Sequence, residues 1–156
     1  MCWDIGCGGG ANVKRLLKLC PQGKVYGMDL SEESVAFARR HNAGELDRRC
    51  FIQQGDVCSL PYGDGAFDAV TAFETVYFWS SVSKALAEVF RVIRKGGCFL
   101  ISLEASDPEL GKAWTERIKG MTVYGAEELK QLLSQAGFSD IRVIQKKEEL
   151  HIVAHK

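Results

Sequence analysis

The chain has 156 residues, 20 of them basic and 20 acidic, and carries no formal net charge. That length suits one ordinary domain with a full core, and the charge balance favours neither nucleic acid nor an anionic membrane surface, which leaves a small molecule as the expected partner. The opening residues hold no basic stretch followed by an apolar one, and no run approaches the roughly 18 apolar residues of a membrane helix, so a soluble protein of the cytoplasm is expected.

Residues 2–5 read as a short strand running into glycines, after which Val13, Leu16, Leu17 and Cys20 recur at helical spacing until Pro21 and Gly23. Residues 24–29 form a second strand; Ser31 caps the next helix, with Glu32 and Glu33 in its first turn, and the helix runs to about His41. A third strand at 50–53 and a fourth at 66–73 are joined by a loop with Pro61, Gly63 and Gly65, where the usual crossover helix is short or missing. Val82, Ala85, Leu86, Val89, Val92 and Ile93 form the stripe of a long helix that Gly96-Gly97 should end before a strand at 98–103. An irregular stretch over 105–124 precedes a helix with Leu129, Leu132, Leu133 and Ala136, stopped by Gly137, and two strands near 139–146 and 149–155 close the chain. Their connection is too short for a parallel crossover, so they should pair antiparallel. The expected architecture is α/β: a doubly wound, mostly parallel seven-stranded sheet with an antiparallel C-terminal edge hairpin.

Six cysteines, at 2, 7, 20, 50, 58 and 98, include no CxxC pair and have no histidine at metal-ligand spacing; they read as structural thiols in a reducing compartment, with no metal site.

In an open α/β sheet, ligands bind beyond the carboxyl ends of the strands, where this sequence sets Asp4, Asp29, Asp56 and Glu74. Four carboxylates around one crevice ask for a ligand with amines, hydroxyls or positive charge. The glycines of the 4–10 run, Asp-Ile-Gly-Cys-Gly-Gly-Gly, let the backbone turn and approach such a ligand closely, with a helix N-terminus pointing into the same space. Read as Gly6-x-Gly8-x-x-Ala11 with Asp29 downstream, the run also fits the dinucleotide fingerprint, so an NAD(P)-dependent oxidoreductase is the rival reading. Asp4 speaks against it, since its carboxylate would lie close to a pyrophosphate, whereas S-adenosylmethionine offers an ammonium and a sulfonium.

The 4–10 glycine run resembles the donor-binding loop of class I S-adenosylmethionine-dependent methyltransferases, and the likeness covers nearly the whole chain. It continues through Gly27-Met28-Asp29-Leu30-Ser31, Gly55-Asp56-Val57, Leu60-Pro61-Tyr62, Phe67-Asp68-Ala69-Val70, the 73–79 segment and Arg94-Lys95-Gly96-Gly97. The resemblance implies donor contacts from Asp4, Gly6, Gly8, Phe73 and Glu74, ribose binding by Asp29 with Leu30 against the adenosine, and adenine binding by Asp56 and Val57. It also implies that the segment containing Tyr77, Phe78 and Trp79 faces the acceptor, a small molecule. Family members carry a longer first strand and one or two preceding helices, so the chain reads as a single methyltransferase domain over 1–156, N-terminally truncated relative to the family. A non-catalytic module that binds an adenosyl ligand or a partner chain is the remaining alternative.

Of the aromatic residues, Tyr77 and Trp79 are the first candidates for substrate binding, Phe78 serves equally well as core, and Trp114, Met121 and Tyr124 in the irregular stretch are candidates for an acceptor lid. Glu74 and Tyr77 are the candidate proton acceptors. His41, His151 and His155 fall away from the strand ends, and Lys112, Arg117 and Lys119 read as a solvated face.

Overall fold

A computed structural model describes residues 1–156. Strands β1 (Cys2–Ile5), β2 (Val25–Asp29), β3 (Cys50–Gln54), β4 (Phe67–Phe73), β5 (Ile93–Leu103), β6 (Ser139–Lys146) and β7 (Glu149–His155) form one sheet in the order β3-β2-β1-β4-β5-β7-β6. The neighbours among β1 to β5 pair parallel, and β7 lies antiparallel between β5 and β6. Only residues 147 and 148 join β6 to β7, which suffices for a hairpin and not for a crossover. The expected fold is the observed one.

Each face of the sheet is covered by helices whose apolar stripes match it. On one face α1 (Ala11–Leu19) and α2 (Glu32–His41) lay Val13, Leu17, Val35 and Ala38 against Cys7, Val25, Cys50 and Ile52. On the other, α3 (Val82–Val92) and α5 (Ala126–Gln135) pack Ala85, Leu86, Val89, Leu129 and Leu133 with Trp3, Val70, Phe99 and Ile101. The strand order reverses between β1 and β4, so a crevice opens beyond their carboxyl ends. Ser31 caps α2 as expected, its Oγ accepting from the Ser34 N–H at 3.2 Å.

Two local expectations change. Helix α3 ends at Val92, before Gly96-Gly97, because Ile93 is fully buried and already pairs with Phe67 of β4. The two glycines lie inside β5 where the register to β4 shifts; a Cβ on Gly97 would stand 2.7 Å from the Asp68 carbonyl oxygen, so the chain can cross there only without a side chain. The irregular stretch also contains a short helix, α4 (Lys112–Arg117), after a turn in which the Asp107 carboxylate accepts from the Glu109 and Leu110 N–H groups.

The loop between β3 and β4 has no helix and is held instead by Arg91 of α3, which donates to the carbonyls of Leu60 and Tyr62 and to Asp64 and Glu88. Glu88 in turn accepts from the Leu60 N–H at 2.8 Å. The Arg91 hydrogen bonds hold the Glu88 carboxyl down to about 2, against an ordinary 4.5. A carboxyl depressed on folding stabilises the protein above its unfolded value and loses that contribution as pH falls through its folded one. Thermal melts are therefore expected to lose stability as pH falls from about 4.5 toward 2, and Arg91→Ala should lower Tm at neutral pH and remove this part of the slope; an unchanged slope in the variant would count against the clamp.

Candidate active site

The glycine loop after β1 is shaped by what lies against it. Gly6 has φ 67°, and a Cβ there would stand 1.9 Å from Thr75 Oγ1, so the loop rests directly on the segment after β4. Gly8 has φ 49°, and a Cβ there would meet nothing within 4 Å, because the residue faces open space. That space is a cavity of about 570 Å³, bounded by the loop, the ends of β2 and β3 and the segment after β4.

Of the residues expected to hold a donor, the cavity brings together Gly6, Gly8, Asp29, Leu30, Asp56, Val57 and Glu74, and Trp79 joins them from the expected acceptor set. Asp29 Oδ2 accepts from the Gly8 N–H at 2.8 Å and Oδ1 from the Ser31 N–H at 3.0 Å, which ties the end of β2 to the glycine loop. An ionised carboxylate has about four acceptor positions, so Asp29 retains capacity for two hydroxyls. Asp56 uses Oδ1 on the Cys58 N–H at 2.8 Å, closing an Asx turn that leaves its second oxygen for a ligand. Leu30 and Phe78 stand half or more exposed on the rim and offer apolar surface to a flat ring. Carboxylates with spare acceptor positions, apolar rims and a loop open at Gly8 fit the hydroxyls, amine and adenine of S-adenosylmethionine.

Asp4 is placed differently from the expectation that it faces the crevice. The pleat of β1 pairs Asp4 with Gly27 and Thr71, turning its side chain into the layer beneath the glycine loop, where it is 1% exposed and outside this cavity. Thr71 Oγ1 donates to Oδ1 at 2.7 Å, Oδ2 has no partner, and burial raises the carboxyl to about 7. Phe73, at the end of β4, is half-buried and also lies outside the cavity.

Glu74 adopts φ 55°, a left-handed conformation rare for a side chain of this size, and its N–H donates to the Ser102 carbonyl at 3.0 Å. The Tyr77 hydroxyl donates to Glu74 Oε2 at 3.1 Å and accepts from the Ala105 N–H at 2.9 Å. Burial pushes both groups up, the Glu74 carboxyl and the Tyr77 phenol alike. Beyond Glu74 lies a second cavity of about 280 Å³, lined by Tyr77, Trp114 and Met121 together with Glu104, Ala105 and Glu148. Glu74 borders both cavities. Tyr124 borders neither and packs against the larger core cluster.

Several contributors were invisible in the linear pattern. Ser80 lines the larger cavity and Glu104 and Glu148 the smaller one, although no motif singles them out, and Thr75, inside the 73–79 segment, meets the glycine loop. Asn42, 5% exposed, donates from Nδ2 to the carbonyls of Gly10 and Ala38 and so pins the start of α1 to the end of α2. Only the juxtaposition of elements distant in sequence gives these residues a role.

Residues 3–101 match the family model described as "Methyltransferase domain". The chain is 36% identical over 107 residues to the demethylmenaquinone methyltransferase of Symbiobacterium thermophilum, a stretch that covers 67% of this chain and 42% of the relative. It is 32% identical over 114 residues to the malonyl-[acyl-carrier protein] O-methyltransferase of Legionella pneumophila, covering 72% of this chain and 39% of that one. It therefore spans about two fifths of the length of these relatives. Among solved structures, phosphoethanolamine N-methyltransferase 2 of Haemonchus contortus, in complex with S-adenosyl-L-methionine, superposes with a TM-score of 0.85 at 17% identity, over 99% of this chain and 48% of that one. The dinucleotide reading of the glycine run gives way to the family match, and the chain belongs to the Rossmann-like class I S-adenosylmethionine-dependent methyltransferase family.

Proposed function

We propose that this chain transfers a methyl group from S-adenosylmethionine to a small-molecule acceptor. The observation that carries the reading is the coupling of Asp29 to the Gly8 N–H on the wall of the larger cavity, which sets a carboxylate with unused acceptor positions beside a loop that admits a ligand. Asp29 would take the ribose hydroxyls, Asp56 and Val57 the adenine edge, Leu30 the ring face, and the Gly6–Gly8 backbone the methionine end. Asp4 would act from beneath, as the buried support of that loop. One relative is named as a demethylmenaquinone methyltransferase, and methyl transfer to a small molecule is the activity this chain would share with it. A cytoplasmic location agrees with six thiols, three of them buried.

The donor supplies an electrophilic methyl group: the acceptor's lone pair forms the new bond to carbon while the sulfur–carbon pair stays on sulfur. The residues must then align the acceptor and accept its proton. Glu74 suits the second task, because its carboxyl is raised by burial and borders both cavities. Tyr77 suits it poorly, since its proton is already donated to Glu74 and its phenol is pushed further up. Glu74→Gln is expected to lower turnover about 100-fold with donor affinity little changed, and Tyr77→Phe to cost far less; equal losses in the two variants would contradict this assignment.

The reading is tested by isothermal titration with S-adenosylmethionine, S-adenosylhomocysteine and NADH in parallel. Saturable binding of the two adenosyl ligands is expected, and binding of NADH alone would overturn it.

A further inference from the structure

The smaller cavity has a chemistry of its own. Its wall combines Tyr77 after β4, Trp114 of α4 and Met121 with glutamates from three separate places, all solvent-exposed: Glu74 after β4, Glu104 after β5 and Glu148 in the β6–β7 turn. No lysine, arginine or histidine lines it, and none of the three glutamates takes part in an ion pair, although the chain holds as many basic as acidic residues and pairs them elsewhere. Trp114 is 52% exposed, and neither another ring nor a cation of this chain stacks on its ring.

We infer that this cavity receives the acceptor as a cationic amine, seated between the Trp114 ring and the carboxylates of Glu74, Glu104 and Glu148. The inference rests on the methyl-transfer reading and names its substrate class. Carboxylates gathered around one small volume repel each other, and a cation relieves that repulsion while an anionic acceptor would add to it. An aromatic ring beside the same volume favours an ammonium or a methylated ammonium that reaches its face over a neutral group of equal size. The electrostatics therefore disfavour carboxylate acceptors, and Glu74, which lines both cavities, links the acceptor space to the donor space.

The proton balance is compatible with the same residues. An incoming ammonium loses one proton to Glu74, from which it passes to solvent. The freed nitrogen lone pair then forms the N–C bond as the sulfur–carbon bond breaks with its pair left on sulfur, and the product leaves as an N-methylammonium. No oxidant or further reactant is required.

The test uses the chain saturated with S-adenosylhomocysteine at pH 7 and titrated, with tryptophan fluorescence and calorimetry as readouts, by phenethylamine, 2-phenylethanol and phenylacetate. Phenethylamine is expected to bind about tenfold or more tighter than the alcohol, and phenylacetate not to bind. A Glu104→Gln/Glu148→Gln variant should lose about tenfold in amine affinity and keep its S-adenosylhomocysteine affinity, and Trp114→Leu should lose both the fluorescence response and part of the affinity. Equal binding of the alcohol and the amine, binding of phenylacetate, or amine binding unaffected by the double substitution would overturn the acceptor class while leaving donor binding in place. Failure of S-adenosylhomocysteine itself to bind would instead overturn the methyl-transfer reading, and the acceptor role with it.

Discussion

Asp29→Ala is expected to weaken binding of S-adenosylmethionine and S-adenosylhomocysteine by about 100-fold. The carboxylate holds the glycine loop through the Gly8 N–H and the start of α2 through the Ser31 N–H, and it offers the remaining acceptor positions to ribose. Hydrogen bonds to a charged acceptor contribute roughly 1.5 to 3 kcal/mol each, so loss of ribose contacts together with the loop tether amounts to about 3 kcal/mol, or two decades in Kd. The partly exposed position of Asp29 keeps the structural cost small, so the variant should melt near the parent. Calorimetric titration beside a thermal melt checks both parts. Donor affinity within threefold of the parent would remove Asp29 from the site, and Asp29→Asn, which keeps one acceptor oxygen, should fall between the two.

Gly6→Ala should damage stability and binding together. The residue sits at φ 67°, where a Cβ costs about 1 to 2 kcal/mol, and that Cβ would lie 1.9 Å from Thr75 Oγ1 and 2.5 Å from Thr75 Cβ. Overpacking of this kind adds roughly 1 to 3 kcal/mol. The sum, about 3 kcal/mol, predicts a fall in Tm of roughly 6 to 12 °C for a chain of this size. Because Thr75 also borders the larger cavity, displacing it should abolish donor binding even where the protein remains folded. The Gly6→Ala/Thr75→Gly double variant removes the collision and retains the backbone strain, so it should recover part of the Tm loss. Absence of any recovery would mean that conformation, and not the contact with Thr75, demands glycine here.

The contrast between Asp29 and Asp4 marks how far strand-end reasoning reaches. Both are acids at the carboxyl end of a strand beside the same glycines, and the linear pattern treats them alike. Asp29 is the last residue of β2 and opens onto the cavity, whereas Asp4 is still inside β1, paired on both sides, and the pleat turns it under the loop. One residue of position along a strand decides between a ligand contact and a buried support. The same limit applies to Tyr77, Phe78 and Trp79: a single turn of 3-10 helix over Val76–Phe78 sends Tyr77 to the smaller cavity and Phe78 and Trp79 to the larger one. Tyr124 lies in a stretch with too little periodicity to orient it, and it packs on the core.

By itself the sequence determined the layered α/β architecture, the antiparallel closing hairpin and the glycine loop, and it singled out Asp29 and Asp56, which line the larger cavity. These follow from local causes: period-2 and period-3.6 apolar patterns, capping residues, turn residues and connection lengths act within a few positions of one another. Only the tertiary structure decided that Thr75 imposes Gly6, that Asn42 pins α1 to α2, that Asp4 is buried, and that Glu104, Glu148 and Trp114 share one cavity with Glu74. Those relations join residues as far as 74 positions apart, such as Glu74 and Glu148, and depend on strand order and pleat, which set distances that no local pattern encodes.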